Sequence, residues 1–316
     1  MSQYLITGGA GFIGYNFIRY ALPKYPESSF VCLDALTYAA NQEEIYRLSY
    51  PNFTFIQGNI CNTEQINTLF CKKQFDYVIH FAAETHVDRS IADSAVFLQT
   101  NVLGVQVLLE ACRRFGVKRF HQISTDEVYG DLSLDDSSSC DEYANLKPSN
   151  PYSASKAAAD LLVLSYYKTY GLPVTISRCT NNYGPYQHTE KFIPTVIRCA
   201  LKNQPVPIYG TGKNIRDWLY VDDHCRAVDL IVHNGLAGQI YNIARGEGLS
   251  NRVVAEAILQ RLNRPKSLIT YVDDRLGHDL KYSIQCHKIH RELGWNPQIS
   301  FAEGIEKTIA FYKHQE

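Results

Sequence analysis

A strand-like run, Tyr4-Leu5-Ile6-Thr7, opens directly into Gly8-Gly9-Ala10-Gly11-Phe12-Ile13-Gly14, and a helical stretch follows from Phe12 to Leu22. The turn satisfies both G-x-G-x-x-G and G-x-x-G-x-x-G. Glycine lets the backbone turn tightly and approach a ligand closely. The helix behind it presents free N–H groups to negative charge. A glycine-rich turn can also serve close packing alone, but between a strand and a helix it reads as a pyrophosphate cradle. Asp34 lies 20 residues past Gly14, at the end of the second strand candidate. A carboxylate there accepts from a ribose 2′-hydroxyl and repels a 2′-phosphate, which favours NAD over NADP.

The rhythm set by this first unit continues. Strand candidates are Tyr4–Thr7, Phe30–Leu33, Phe53–Gln57, Tyr77–Phe81, Arg119–Ser124 and Val174–Arg178, with helical stretches at Phe12–Leu22, Thr63–Lys72, Ala95–Phe115 and Ser153–Tyr170. Short apolar strands alternating with amphipathic helices predict an α/β fold, a Rossmann-type doubly wound parallel sheet covered on both faces. Ligands in such sheets sit beyond the carboxyl ends of the strands. Glycines, acids and hydroxyls cluster there: Gly8–Gly14, Asp34, Asn59, Ala82–Thr85 and Ser124–Glu127. After Asn182 the prolines 185, 194, 205 and 207 break the rhythm. We expect an NAD-binding domain over residues 1–182, with a returning segment near 218–245. A smaller, discontinuous α/β substrate domain is expected over 183–217 and 246–316.

The formal net charge of -1 over 316 residues gives no general drive toward nucleic acid or an anionic membrane. Nine cysteines without a CxxC pair read as buried or free thiols, and the neighbouring His287 and His290 as surface residues, so no metal is expected. The first strand candidate begins next to Met1, so no signal peptide is expected. No apolar run approaches the length of a membrane span, and a cytoplasmic setting is expected.

Tyr152 and Lys156 stand at i and i+4 on the helix that Pro151 opens, so they share a face. A tyrosine is a poor base at neutral pH unless positive charge stabilises its phenolate; a lysine ammonium and a nicotinium ring would do so. Ser124-Thr125-Asp126-Glu127 closes the fifth strand candidate. Thr125 is suited to donate to a substrate hydroxyl or to the tyrosine oxygen. The adjacent carboxyls of Asp126 and Glu127 would split their pKa values in a closed pocket, which suits an acid beside a base.

These residues, with Ala82–Ser90, Ser124–Gly130, Asn150–Lys156, Asn181–Pro185, Ile215–Trp218 and Gly277–Asp279, mark a resemblance over nearly the whole chain. The chain resembles the extended short-chain dehydrogenase/reductases, and within them the dTDP-glucose 4,6-dehydratase family. Its Thr-Asp-Glu triplet is the most specific feature, since epimerases of the superfamily usually carry small residues there. The resemblance implies that Tyr152 takes the 4-hydroxyl proton while hydride passes from C4 to NAD, with Lys156 and Thr125 beside it. Glu127 then removes the C5 proton, Asp126 protonates the departing C6 hydroxyl, and hydride returns to C6. The order follows from chemistry: the C5 proton is not acidic until a carbonyl stands beside it. The product, a 4-keto-6-deoxy sugar nucleotide, feeds deoxysugar biosynthesis toward rhamnose, an amino sugar or another deoxysugar.

By the same resemblance, NAD would rest on Gly8, Gly11, Phe12, Ile13, Gly14, Asp34, Thr37, Asn59, Ile60, Ala82, Ala83, Thr100 and Asn182, besides Tyr152 and Lys156. The nucleotide sugar would meet Thr85, Thr125, Asn181, Lys191, Phe192, Pro207, Tyr209, Arg216, Asn251, Arg275 and His278. The family usually has Asp where Asn59 stands. It also implies a homodimer through the helices Ala95–Phe115 and Ser153–Tyr170. Other readings stay open at this point: a nucleotide-sugar 4-epimerase, UDP-glucose as substrate, and, from another class, a non-catalytic NAD or nucleotide-sugar sensor.

Overall fold

The computed structural model describes residues 1–274 and 276–315. The strands are β1 (Gln3–Thr7), β2 (Ser29–Asp34), β3 (Phe53–Gln57), β4 (Tyr77–His80), β5 (Arg119–Thr125), β6 (Val174–Cys179), β7 (Asn181–Tyr183), β8 (Val206–Tyr209), β9 (Ile215–Tyr220), β10 (Gln239–Ile243), β11 (Gly248–Ser250) and β12 (Ile269–Val272). Seven of them form one sheet in the order β10-β6-β5-β4-β1-β2-β3. Every pairing in it is parallel. This is the doubly wound order with one strand added at the edge, and the order reverses between β1 and β4. Buried helices on both faces explain why Tyr4-Leu5-Ile6 and Phe30-Val31-Cys32-Leu33 read as unbroken apolar runs.

One core lies on each side of this sheet. The first gathers Leu5, Val31, Val78, Phe120, Val174 and Ile176 with the helices Thr63–Lys72, Gly104–Phe115 and Pro151–Tyr170. The second gathers Ile6, Phe30, Cys32 and Ile79 with Phe12–Lys24 and Val221–Asn234. A third core, built on Tyr183, Ile193, Val206, Ile208, Trp218, Val254, Ile258 and Ile305, belongs to the later part of the chain. There a three-stranded sheet, β11-β9-β7, and a two-stranded one, β12-β8, replace the parallel pattern. The segment Gln239–Ile243 returns to the large sheet by pairing with β6.

Two sequence expectations are corrected. The stretch Ala95–Phe115 is not one continuous α-helix: Ala95–Leu98 and Gly104–Phe115 flank a π-helical turn, Gln99–Leu103. The widened turn sets Asn101 inward, where Nδ2 donates to Glu84 O (3.0 Å) and Ser155 Oγ (2.9 Å) while Oδ1 accepts from Glu84 N (2.8 Å). Such turns often mark functional sites. The same 21-residue stretch is also long and apolar enough, on average, to cross a membrane. Scattered Gln99, Asn101 and Gln106 hid this from a search for apolar runs. Its inner face, Phe97, Val105, Leu108, Leu109 and Cys112, is buried, as in a core helix.

Candidate active site

The carboxyl ends of β1, β2, β4, β5 and β6 open into one cleft of about 490 Å³. Among its walls stand all fifteen residues expected at the cofactor, from Gly8 and Gly11 to Asn182. Gly8 takes φ +73°, and a Cβ there would lie 2.3 Å from Ala82 N; a Cβ on Gly14 would lie 2.3 Å from Gly8 O. Only bare backbone fits this cradle. Gly11 caps the helix Phe12–Lys24 with no side-chain hydrogen bond. The first-turn N–H groups of that helix are left to an anion.

Asp34 accepts Ala10 N (2.9 Å) and Leu36 N (2.8 Å), which ties the cradle to the end of β2. Burial raises its pKa, and these two N–H groups oppose the rise. The side-chain carbonyl of Asn59 accepts Cys61 N (2.9 Å) in a local turn. An Asp would close the same turn, so the departure at this position changes charge rather than backbone. Thr180 Oγ1, Asn181 Oδ1 and Asn182 Oδ1 are buried in the cleft wall without a hydrogen-bond partner. Buried acceptors of this kind call for a ligand donor. Bare cradle, uncapped helix and orphaned acceptors together fit a dinucleotide.

The chemistry-bearing residues meet at the far end of the cleft. Thr125 closes β5 and caps the short turn Asp126–Tyr129, its Oγ1 accepting Glu127 N (3.3 Å) and donating to Asp126 Oδ1 (3.3 Å). Asp126 is 2% exposed and its Oδ2 has no partner. Burial, then the charge of Glu127, raises its pKa well above the usual carboxylate range, against the pull of Arg216. Glu127 is only partly buried. The two neighbours thus occupy different environments, the split that an acid and a base require.

Tyr152 and Lys156 project from Pro151–Tyr170, a helix opened by an Asn150/Ser153 capping box. Lys156 Nζ donates to Ile123 O (2.6 Å). Burial, then the charges of Glu127 and Cys179, push the Tyr152 pKa well above 10, and a hydrogen bond with Thr125 opposes them only in part. Low dielectric outweighs an ammonium that is already committed to a carbonyl. A phenolate here would need the positive charge of a bound cofactor beside that of Lys156.

Of the residues expected at the substrate, Thr85, Thr125, Asn181 and Lys191 line the same cleft, and Lys191 Nζ donates to Thr85 O (3.3 Å). The other described ones are not in its wall. Arg216 is buried, its guanidinium donating to Ile215 O, Asp279 O and Leu280 O and lying 4.2 Å over the Tyr282 ring. Tyr209 and His278 meet edge to face, with centroids 6.1 Å apart, and His278 Nδ1 lies 2.6 Å from Asp274 Oδ1. Phe192 packs on Trp218, Pro207 is exposed on β8, and Asn251 opens the helix Asn251–Arg261. Arg275 lies outside the described residues.

Sequence reasoning missed Tyr282. Its hydroxyl donates to Asp279 and lies 3.5 Å from Glu127 Oε2, so the later part of the chain reaches the Asp126–Glu127 turn. Asp279 stands in the Gly277-His278-Asp279 motif, but nothing in the spacing tells that it accepts from Tyr282 and Ser149 beside the cleft.

A dinucleotide cradle, a Tyr/Lys pair and a strand-end hydroxyl on a doubly wound sheet define a nicotinamide-dependent short-chain dehydrogenase/reductase. The comparisons narrow this. Residues 5–308 match the model of the GDP-mannose 4,6 dehydratase family, and the chain belongs to that family. A dTDP-glucose 4,6-dehydratase of Haemophilus influenzae is 45% identical, over 99% of this chain and 98% of that protein. The dTDP-glucose 4,6-dehydratase DesIV of Streptomyces venezuelae, solved with NAD bound, superposes with a TM-score of 0.95 at 45% identity, over 99% of this chain and 97% of that one. A UDP-glucose 4-epimerase of Thermus thermophilus, also complexed with NAD, reaches 0.91 at 29% identity, over 98% of this chain and 99% of that one. Fold therefore does not separate dehydratase from epimerase; identity and the site do.

Proposed function

We propose that this chain is an NAD-dependent dTDP-glucose 4,6-dehydratase, a hydro-lyase that forms dTDP-4-keto-6-deoxyglucose and water. The observation that carries the reading is the buried Asp126 next to the partly exposed Glu127, both in one cleft with Tyr152 and Lys156. An epimerase has no use for a second acid/base pair. Relatives at about 45% identity over nearly full length carry the dehydratase name.

When bound, NAD supplies the hydride acceptor and donor. The cradle at Gly8–Gly14 and Asp34 would hold its pyrophosphate and ribose, and Lys156 its ribose hydroxyls. Tyr152 accepts the proton of the sugar 4-hydroxyl, with Thr125 beside it. Glu127 takes the C5 proton. Asp126, whose protonated form burial favours, gives its proton to the leaving C6 hydroxyl. In this reading residues 1–182 with 218–245 serve the cofactor, and 183–217 with 246–316 serve the nucleotide. A homodimer through Ala95–Phe115 and Ser153–Tyr170 is part of the reading; exposed Val96, Leu98, Leu103, Leu161, Tyr167 and Tyr170 support it. Nine unpaired cysteines support a reducing, cytoplasmic setting.

The test is incubation with dTDP-glucose and UDP-glucose in parallel, following the alkali-induced absorbance of a 4-keto sugar. We expect turnover with dTDP-glucose and much less with UDP-glucose. In Glu127→Gln the C5 proton stays and reduced cofactor absorbance accumulates. Clean galactose production without a 4-keto product would sink the proposal.

A further inference from the structure

The helix that carries Tyr152 and Lys156 carries Asp160 one turn further along the same face. Asp160 is fully buried and accepts Ser124 Oγ (2.9 Å) and Arg178 Nε (2.9 Å). Its second oxygen, Oδ1, is buried without a partner. Arg178 is equally deep, with its guanidinium 4.8 Å from the Tyr129 ring. Ser124 immediately precedes Thr125-Asp126-Glu127, and Ile123, whose carbonyl accepts Lys156 Nζ, immediately precedes Ser124. Lys156 and Asp160 therefore grip two consecutive residues of β5, one through backbone and one through a side chain.

A buried ion pair contributes little net stability, because desolvating both charges costs about what their attraction returns. Packing alone does not call for Asp160. Lys156, by contrast, is a buried ammonium, 5% exposed. Burial disfavours its charge, and the groups that bear on it are Asp160 on its own helix, Cys179 and Arg178 on β6, His80 on β4 and Tyr152. Among these Asp160 supplies the negative charge that opposes burial.

We propose that Asp160 is a positioning residue for the reaction: its carboxylate is the counter-charge that keeps Lys156 an ammonium. Through Ser124 it also holds the strand end bearing Thr125, Asp126 and Glu127 in register with that lysine. The inference rests on the reading of Tyr152 and Lys156 as the hydride-transfer pair.

Asp160→Asn keeps the shape and an acceptor for Ser124 and Arg178 but removes the charge. Asp160→Asn/Arg178→Met removes both charges, which guards against misfolding from an unpaired guanidinium. At the roughly 6 Å between i and i+4 side chains and an effective dielectric of about 20, the lost attraction corresponds to about two pH units. The readouts, on the holoenzyme, are the Lys156 titration followed by 13Cε-lysine NMR, assigned with Lys156→Met, and the pH profile of kcat. The Lys156 midpoint should fall by about one to two units in Asp160→Asn and by less in the double variant, where the loss of the Arg178 cation offsets part of the loss of the carboxylate. The alkaline limb of kcat should move down with it, and Asp160→Glu should restore part of the shift. A folded Asp160→Asn whose Lys156 midpoint stays put, or a double variant whose midpoint falls as far as that of the single, with kcat lowered equally at every pH, would make Asp160 a structural residue and overturn the proposal. If the wild type fails to dehydrate dTDP-glucose, the reading of the reaction falls, while the Lys156 midpoint still decides the role of Asp160.

Discussion

Asn101→Ala tests whether the π-helical turn serves the cleft. The side chain makes three hydrogen bonds, two to the backbone of Glu84 and one to Ser155 Oγ. Ser155 keeps its own donation to Tyr152 O at 2.7 Å, so its loss is small. The N–H and C=O of Glu84 lose their partner, and each such orphan costs about 1–3 kcal/mol. Glu84 borders the cleft, so water relieves part of this, and the net loss should be about 2–4 kcal/mol. At about 2.1 cal/mol/K per residue over 316 residues, the melting temperature should drop by roughly 3–6 °C. The loop from Ala82 to Thr85, which forms one wall of the cofactor site, would loosen with it. Thermal unfolding with and without NAD, and retention of NAD through gel filtration, are the assays. The variant should unfold earlier and release NAD more readily than the wild type. Unchanged melting and unchanged retention would show that the turn is an accident of packing.

Asp126→Asn should slow water loss by about 10²–10⁴-fold, the usual contribution of a positioned acid. It should also gain stability relative to the wild type as pH rises. The folded carboxyl binds its proton more tightly than the unfolded one, so its contribution is complete below about pH 4 and is lost as pH climbs through the raised folded pKa. Melting curves at pH 5 and pH 8 check this; a difference independent of pH would contradict it. Gly8→Ala must place a Cβ 2.3 Å from Ala82 N at φ +73°, and left-handed strain alone is about 1–2 kcal/mol. NAD affinity measured by calorimetry should fall about tenfold or more. Burial pushes the Asp229 carboxyl up, but hydrogen bonds from His233, Lys24 and Tyr25 outweigh it and hold its pKa at about 2. This stabilisation, about 2 kcal/mol, is present above the unfolded pKa near 4 and is lost as pH falls toward 2. Asp229→Asn should be less stable at neutral pH and show less loss in that acid window, as read by urea unfolding.

Much of this protein is written locally. The cradle at Gly8–Gly14, Asp34 twenty residues on, and Tyr152 with Lys156 depend on spacing within one strand, turn or helix, and a sequence displays spacing directly. The strand and helix alternation likewise follows from side-chain period, which is why β1 to β6 fall where the apolar runs predict. The residues beyond the cleft wall are a different case. Phe192, Pro207, Tyr209, Asn251 and His278 were expected from resemblance alone, and the fold spreads them over the later part of the chain.

Tertiary structure decided what depends on neighbours distant in the chain. Burial and the charge of Glu127 raise the Asp126 pKa, and no property of the triplet itself says how much water reaches it. Tyr282 meets Glu127 across 155 positions, and Asn101 meets Ser155 across 54. The π-helical turn is invisible to a periodicity argument because one shifted hydrogen-bond pattern leaves the apolar spacing nearly intact. Asp160 reads as one more polar residue on a long helix until β5 and β6 close over it. By itself the sequence determined which chemical groups this protein owns and at what local spacing. Only the packed sheet decided which of them lose water and which charges they then feel, because desolvation and electrostatic coupling are properties of surroundings rather than of residues.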